Sequence, residues 1–441
     1  MNVIIVGAGL SGLTAAISLR KAGHSVTIYE RSSMVNEIGA AINVPPNVNR
    51  FLLPWGLDPV KARFCEARGM CFNDFETLEA LPVARVDFSR NKELFGASAY
   101  YAHRVDLHSA LKDLAIGARQ GRRVQILGGL EVVGFNTKDP SIILKDGTIK
   151  KADLVIAADG VHSIGVEYVL GRKHRPQAPG TGCNVNMAYR FLIPRAEVDS
   201  DPETKFFTEG VDFLGARVWA DYKGRKRLIS YPCRNYEVLN FAALIYDEDV
   251  LIDAETTRED WLAPVHTSEV LAKYSNFHPG LLAVMSKATE VKRWPLLYRP
   301  PIPTWHKDGL VLAGDAAHPM LPNHAQGGSQ AIEDGLVLGL VMAGLSSTTT
   351  TSLPEKIRER LQIYESIRRN RASAMQIMSN YGYDEDIPPE MEEYLEGVPI
   401  PTTAAQLIEL QYAPDVVKRT VETMTAFDSS WKLPDGFFEG A

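Results

Sequence analysis

The chain has 441 residues, enough for two or three structural units with sizeable cores. With 45% apolar and 23% charged residues it has the balance of a soluble globular protein, and a formal charge of −7 without a basic cluster argues against a nucleic-acid surface. Four scattered cysteines, Cys65, Cys71, Cys183 and Cys233, include no Cys-x-x-Cys pair, so neither a disulfide framework nor a metal site is expected.

Val3 to Val6 is a short apolar run that reads as a buried strand. Gly7-Ala8-Gly9-Leu10-Ser11-Gly12 follows at once, and a helical pattern opens after it with Leu13, Ala16, Ile17 and Leu19 on one side. A second apolar run, Val26 to Tyr29, ends in Glu30. Strand, glycine turn, helix, strand and acid together make the dinucleotide-binding fingerprint in its full context. Gly7 permits the sharp turn, Gly9 leaves room for a pyrophosphate against the backbone, and Gly12 lets helix and strand pack closely. The helix N-terminus aims free N–H groups at the phosphates, and Glu30 can accept from a ribose diol. A strand beginning at Asn2 leaves no room for a targeting segment. The longest apolar stretch, 335–345, is too short to span a membrane and reads as a buried helix. A cytoplasmic location is expected.

Residues 36–47 form a loop of small residues and prolines, suited to lying against a ligand. Tyr101 to Leu107 leads into a helix near 107–118, and short strands are expected at 124–127, 131–136 and 142–144. Another buried strand, 152–157, runs into Asp159-Gly160. From about 180 to 290 the pattern alternates, at 184–192, 217–222, 227–231 and 238–245, as in an antiparallel sheet. Leu310 to Ala313 returns to the buried parallel-strand pattern and is followed by Gly314-Asp315 and a helix from about Gln330. A long amphipathic helix covers 353 to about 380, and a last helix is expected near 413–426. This order predicts an α/β fold. A Rossmann-like domain of the GxGxxG type is built from 1–179 and 291–380, an antiparallel β-sheet substrate domain is inserted at 180–290, and a C-terminal tail with a helix occupies 381–441.

Three further segments carry chemistry: Ala157-Ala158-Asp159-Gly160-Val161-His162-Ser163, Gly314-Asp315-Ala316-Ala317-His318-Pro319 continuing to Gly327-Gly328, and Arg104 within Tyr-Ala-His-Arg-Val-Asp-Leu. On these motifs and the fingerprint the chain resembles the single-component (group A) FAD-dependent aromatic hydroxylases, the group of salicylate and para-hydroxybenzoate hydroxylases. It is most like fungal members acting on phenolic acids and polyketide phenols. The resemblance covers residues 1 to about 380.

The resemblance implies that Glu30 binds the FAD ribose and that Arg104 contacts the phosphate or ribityl region. Ala41 would line the flavin through its backbone, and Asp159 would serve a motif linked to both FAD and nicotinamide. Asp315 would bond the ribityl chain, and Gly327 and Gly328 would turn backbone N–H groups to the flavin ring. Val166 stands where the family carries an arginine, which leaves NADPH or NADH open. The absence of a second fingerprint implies that the nicotinamide visits and leaves. The implied reaction uses NAD(P)H and O2 to hydroxylate a phenolic or aromatic carboxylic acid through a flavin hydroperoxide, with decarboxylation or dearomatisation left open. Related dearomatising hydroxylases place an arginine and a tyrosine on the substrate sheet, and these catalytic roles fall on Arg190 and Tyr222, with Tyr231 competing. His318 is expected to be packed or backbone-bonded, and His324 to sit in a loop facing the flavin. The alternatives are an oxidase or epoxidase on the same scaffold, or a non-catalytic carrier of this fold.

Overall fold

The computed structural model describes residues 1–33, 40–117, 124–179, 185–210, 214–248, 264–346, 352–381 and 387–440. Leu154–Ala157 and Leu310–Leu312 are buried at every residue, the pattern of strands covered on both faces. Leu154–Ala157 lies between Leu310–Leu312 and Asn2–Val6, in parallel with both, and Asn2–Val6 pairs in parallel on its other side with Ser25–Glu30. Val124–Gly128 extends this sheet at one edge, and the short antiparallel strand His306–Lys307 closes the other. The first and last thirds of the chain therefore share one sheet.

Two helices cover that sheet in backbone contact. They are the fingerprint helix Leu10–Lys21 and the apolar helix Gly327–Met342. A Cβ on Gly335 would lie 2.5 Å from the Ala15 nitrogen, and one on Gly339 would lie 1.9 Å from the Ser18 hydroxyl. Only glycine permits this approach. Ser18 donates to the Leu336 carbonyl at 2.8 Å, and a Cβ on Gly328 would lie 3.3 Å from Leu10. Leu10 thus meets 328, Ala15 meets 335 and Ser18 meets 339. The two helices run parallel, with their N-termini side by side.

The second large sheet has the order 264–265, 291–295, 187–194, 238–245, 226–233, 216–221, 69–73, 80–87. It is not confined to 180–290, because Gly69–Asn73 and Ala80–Asp87 come from the stretch assigned to the first part of the cofactor domain. Gly69–Asn73 pairs in parallel with Ala216–Asp221. A pairing between segments so distant leaves no hairpin turn to read in the sequence. Tyr189, Phe191, Leu228 and Phe241 turn to one face, where they pack with Val270 and Leu281 from the helices Thr267–Lys273 and Pro279–Ser286. Alternation sends Arg190, Ile229, Tyr231 and Asn240 to the opposite face.

A small sheet of Ala41–Val44, Tyr100–His103 and Cys65–Glu66 bridges the two large ones. The long helix Leu353–Tyr381 packs beneath Gly327–Met342. The tail holds Val416–Phe427, near the expected helix, and also Ala404–Tyr412, which the sequence reading left as part of the tail. Its end returns to the core, where the Trp55 indole donates to the Phe437 carbonyl at 2.9 Å. Among the described residues, no helix is long and apolar enough to cross a membrane, and no cluster of side chains suits a metal ion.

Candidate flavin and substrate site

The fingerprint turn divides its glycines between fold and ligand. Gly7 has φ of +103°, and a Cβ there would lie 2.3 Å from the Ala158 carbonyl oxygen. A Cβ on Gly12 would lie 2.0 Å from the Gly7 carbonyl oxygen. Gly9 differs, because a Cβ there would meet nothing within 4 Å. The open space lies at the N-terminus of the fingerprint helix, where no side chain caps the turn. The arrangement fits a cofactor pyrophosphate. Glu30 accepts from the Ala8 and Ser32 amides, each at 2.8 Å. It ties the turn together and keeps further lone pairs for a ribose.

Asp159 and Asp315 end two neighbouring strands of the first sheet, and both feel the charge of Arg299. Arg299 is 1% exposed, and burial pulls it down to about 10. Its Nη2 donates to the Asp315 and Ala316 carbonyls at 2.7 and 2.9 Å, while Nε and Nη1 are buried with no hydrogen-bond partner. Desolvation pushes Asp159 up to about 6 although a bond from Ser163 pulls the other way, and its Oδ1 has no partner. Asp315 is raised by desolvation too, yet its side chain opens to the cleft, and the charges of His318 and Arg104 act on it. Arg104 begins the helix Arg104–Ile116 and is exposed. These half-satisfied polar groups are what a bound cofactor would complete. Arg299 has no motif of its own, and sequence reasoning missed it. Val166 is fully buried in Gly165–Leu170, so the position of the missing arginine faces core.

The flavin-side helix begins at Gly327-Gly328, and no side chain caps it. A buried ion network holds this end in place. Asp334 accepts from the Gly314 amide at 2.8 Å, from Arg368 Nε at 2.8 Å, and bonds His318 Nε2 at 2.6 Å. His318 is therefore bonded to a carboxylate rather than to backbone. Glu333 accepts from Asn47, from Arg371 and from Arg368. Despite its burial, these arginines hold Glu333 down to about 2. His324 sits in the turn ahead of this helix, and burial with the charge of Arg227 lowers it to about 4, so it is neutral at physiological pH.

Ala41 is where the two halves meet. Its N–H donates to Asn240 Oδ1 at 3.0 Å, and its carbonyl accepts from Arg190 Nη2 at 3.0 Å and from the Tyr231 hydroxyl at 2.8 Å. Both backbone groups that were expected to face the flavin are thus engaged by the substrate sheet. Tyr222 is not part of this arrangement. It lies in the turn after Ala216–Asp221 and is 71% exposed. Tyr231 lies in this arrangement instead, because the alternation 227, 229, 231 keeps it on the inner face of Lys226–Cys233. Tyr101 packs on it with ring centroids 4.7 Å apart, and desolvation raises the Tyr231 phenol to about 12.

Two family models match the chain, an NAD(P)-binding Rossmann-like domain over residues 5–39 and an FAD binding domain over 238–379. The FAD-dependent monooxygenase cfoG of Aspergillus candidus is 42% identical over 439 residues, covering 99% of this chain and 98% of that protein. Hispidin-3-hydroxylase of Neonothopanus nambi is 29% identical over 403 residues, covering 89% and 90%. A salicylate hydroxylase substrate complex shares the fold, with a TM-score of 0.71 and 19% identity over 96% of this chain and 98% of that one. A glycine-lined anchor, an incomplete polar cleft and near full-length likeness to a named monooxygenase lead to one assignment: the chain belongs to the FAD-dependent monooxygenases.

Proposed function

We propose that this enzyme hydroxylates a phenolic substrate bound as its anion against Arg190 and Tyr231. The observation that carries the reading is the convergence of these two side chains, from separate strands, on the Ala41 carbonyl beside the uncapped flavin-side helix. FAD would be held by the open space at Gly9, by Glu30, Arg104 and Asp315, and by the Gly327-Gly328 N-terminus. It supplies reduction by NAD(P)H and activation of O2. Arg190 is a permanent cation with several donors, so it can keep a phenolate ionised while it holds the Ala41 carbonyl. Tyr231 stays protonated, since burial raises it to about 12, and so remains a hydrogen-bond donor to the same oxygen. The apolar group of Ala188, Leu244, Leu321 and Trp294 on the same face excludes water from the ring.

The test is NAD(P)H oxidation with product mass against phenolic acids and alkyl phenols, which also separates added oxygen from oxygen added with loss of CO2. Arg190→Ala should lower oxygenation about 100-fold, the scale of one lost charge-stabilising donor, while FAD content stays at the wild-type level. Equal oxygenation by the two proteins defeats the proposal.

A further inference from the structure

Tyr412 ends the helix Ala404–Tyr412, in a segment that no cofactor motif reaches. Leu407 and Leu410 share an apolar cluster with Met320, in the turn ahead of the flavin-side helix. Ile408 and Tyr412, four residues apart on the neighbouring stripe, share another cluster with Tyr101 and Tyr231. One short helix therefore shares one cluster with the flavin turn and another with the tyrosine that bonds Ala41.

Its C-terminal end is gripped by two arginines. Arg371, which also binds Glu333, donates to the Leu410 and Gln411 carbonyls, each at 3.0 Å. Arg50 donates to the carbonyls of Tyr412 at 3.0 Å, Ala413 at 3.2 Å and Pro414 at 2.5 Å. These are the carbonyls that a helix end leaves without partners. The Tyr412 ring stands edge-on to Phe95 and Phe88, with centroids 5.7 and 6.3 Å away. Burial pushes its phenol up to about 12, and the Asn43 side chain, two residues along the strand from Ala41, pulls the other way. Packing on Phe88 and Phe95 needs only a phenyl ring. Met70, Tyr231 and Ile408 in this cluster are only half-buried, so its packing is not closed at those residues.

We propose that Tyr412 forms the far wall of the substrate chamber behind Tyr231. The C-terminal helix then sets how long an apolar substituent the phenol can carry. This rests on the reading of Arg190 and Tyr231 as the substrate pair. The test titrates para-alkylphenols of increasing chain length into the FAD-loaded enzyme and reads Kd from the change in flavin absorbance. In Tyr412→Leu, preference for the longer phenol should rise by about fourfold per added methylene, the yield of one newly buried CH2. Tyr412→Phe should keep the wild-type preference, because the wall remains. An unchanged preference in an FAD-loaded Tyr412→Leu protein overturns the proposal. If that variant loses its FAD, Ile408→Val opens the same wall more gently, and absence of any shift there is equally fatal. Product mass from the wild-type enzyme tests the substrate-pair reading separately. A binding shift without oxygenation keeps the wall and removes the chemistry, and oxygenation without a shift does the reverse.

Discussion

At the fingerprint end of the cleft, backbone packs on backbone: Gly7 against Ala158, and Gly12 against Gly7. At the sheet end, one residue, Ala41, is held by three side chains from three strands, while Asn240 keeps a buried amide nitrogen without a partner. The first end is packed backbone on backbone, apart from the gap at Gly9. The second is complete only with a ligand. An anchor can be built from local geometry, since it must accept the same pyrophosphate always. A reaction site must instead leave donors and acceptors unspent for the molecules that come and go.

The largest expected effect separates fold from anchor within six residues. Gly12→Val should abolish folding of the cofactor domain, because its Cβ meets a backbone oxygen that cannot move aside. Gly9→Val should keep the melting temperature of the FAD-free chain and yet lose FAD binding by more than about 100-fold, seen by fluorescence titration. Equal loss of fold in both would erase the distinction between the two glycines.

Next in size are two opposite pH responses. Glu333 ionises in the fold at about 2 rather than 4.5, so its contribution is fully present above pH 4.5 and is lost as pH falls toward 2. That amounts to about 3 kcal/mol, and the acid limb of the denaturation profile should flatten in Glu333→Gln. Asp159 runs the other way. Its carboxyl is raised from 3.8 to about 6, so stability is highest below pH 3.8 and falls as pH rises through 6. FAD-free Asp159→Asn should lack this decline, and a matching decline in both proteins would show that Asp159 is not the group responsible. The smallest effects distinguish the tyrosines. Tyr231→Phe should lower oxygenation about tenfold, the value of the one lost hydrogen bond that positions the Ala41 carbonyl, whereas the exposed Tyr222→Phe should leave it unchanged.

The same contrast explains what the sequence made legible. Gly7 to Glu30 is contiguous, and its chemistry follows from spacing alone, as does the pairing of Asp159 and Asp315 with neighbouring strand ends. Arg190 lies inside a clear alternating run, so its strand and face are legible there. The resemblance puts the tyrosine role on Tyr222 with Tyr231 competing, and only the sheet decides which of the two turns inward. Arg299 opens a proline-rich stretch with no periodic signal, and its importance comes from contacts with Asp315 and Ala316 across the sheet end. The strands at 69–73 and 80–87 join a sheet whose other members lie over a hundred residues on, through a parallel pairing that leaves no local mark.

The parallel crossing of Leu10–Lys21 and Gly327–Met342 has an electrical side. Helices laid side by side in the same direction have aligned dipoles, which repel, whereas an antiparallel pair would attract. The glycines that bring these two into backbone contact make that repulsion as strong as geometry allows. Both positive ends then face the same mouth of the cleft. An anion there lowers the energy of both dipoles at once, so the FAD-free chain behaves as a polarised cell awaiting its counter-charge. Part of the grip on a doubly anionic cofactor comes from relaxing that field rather than from any single contact.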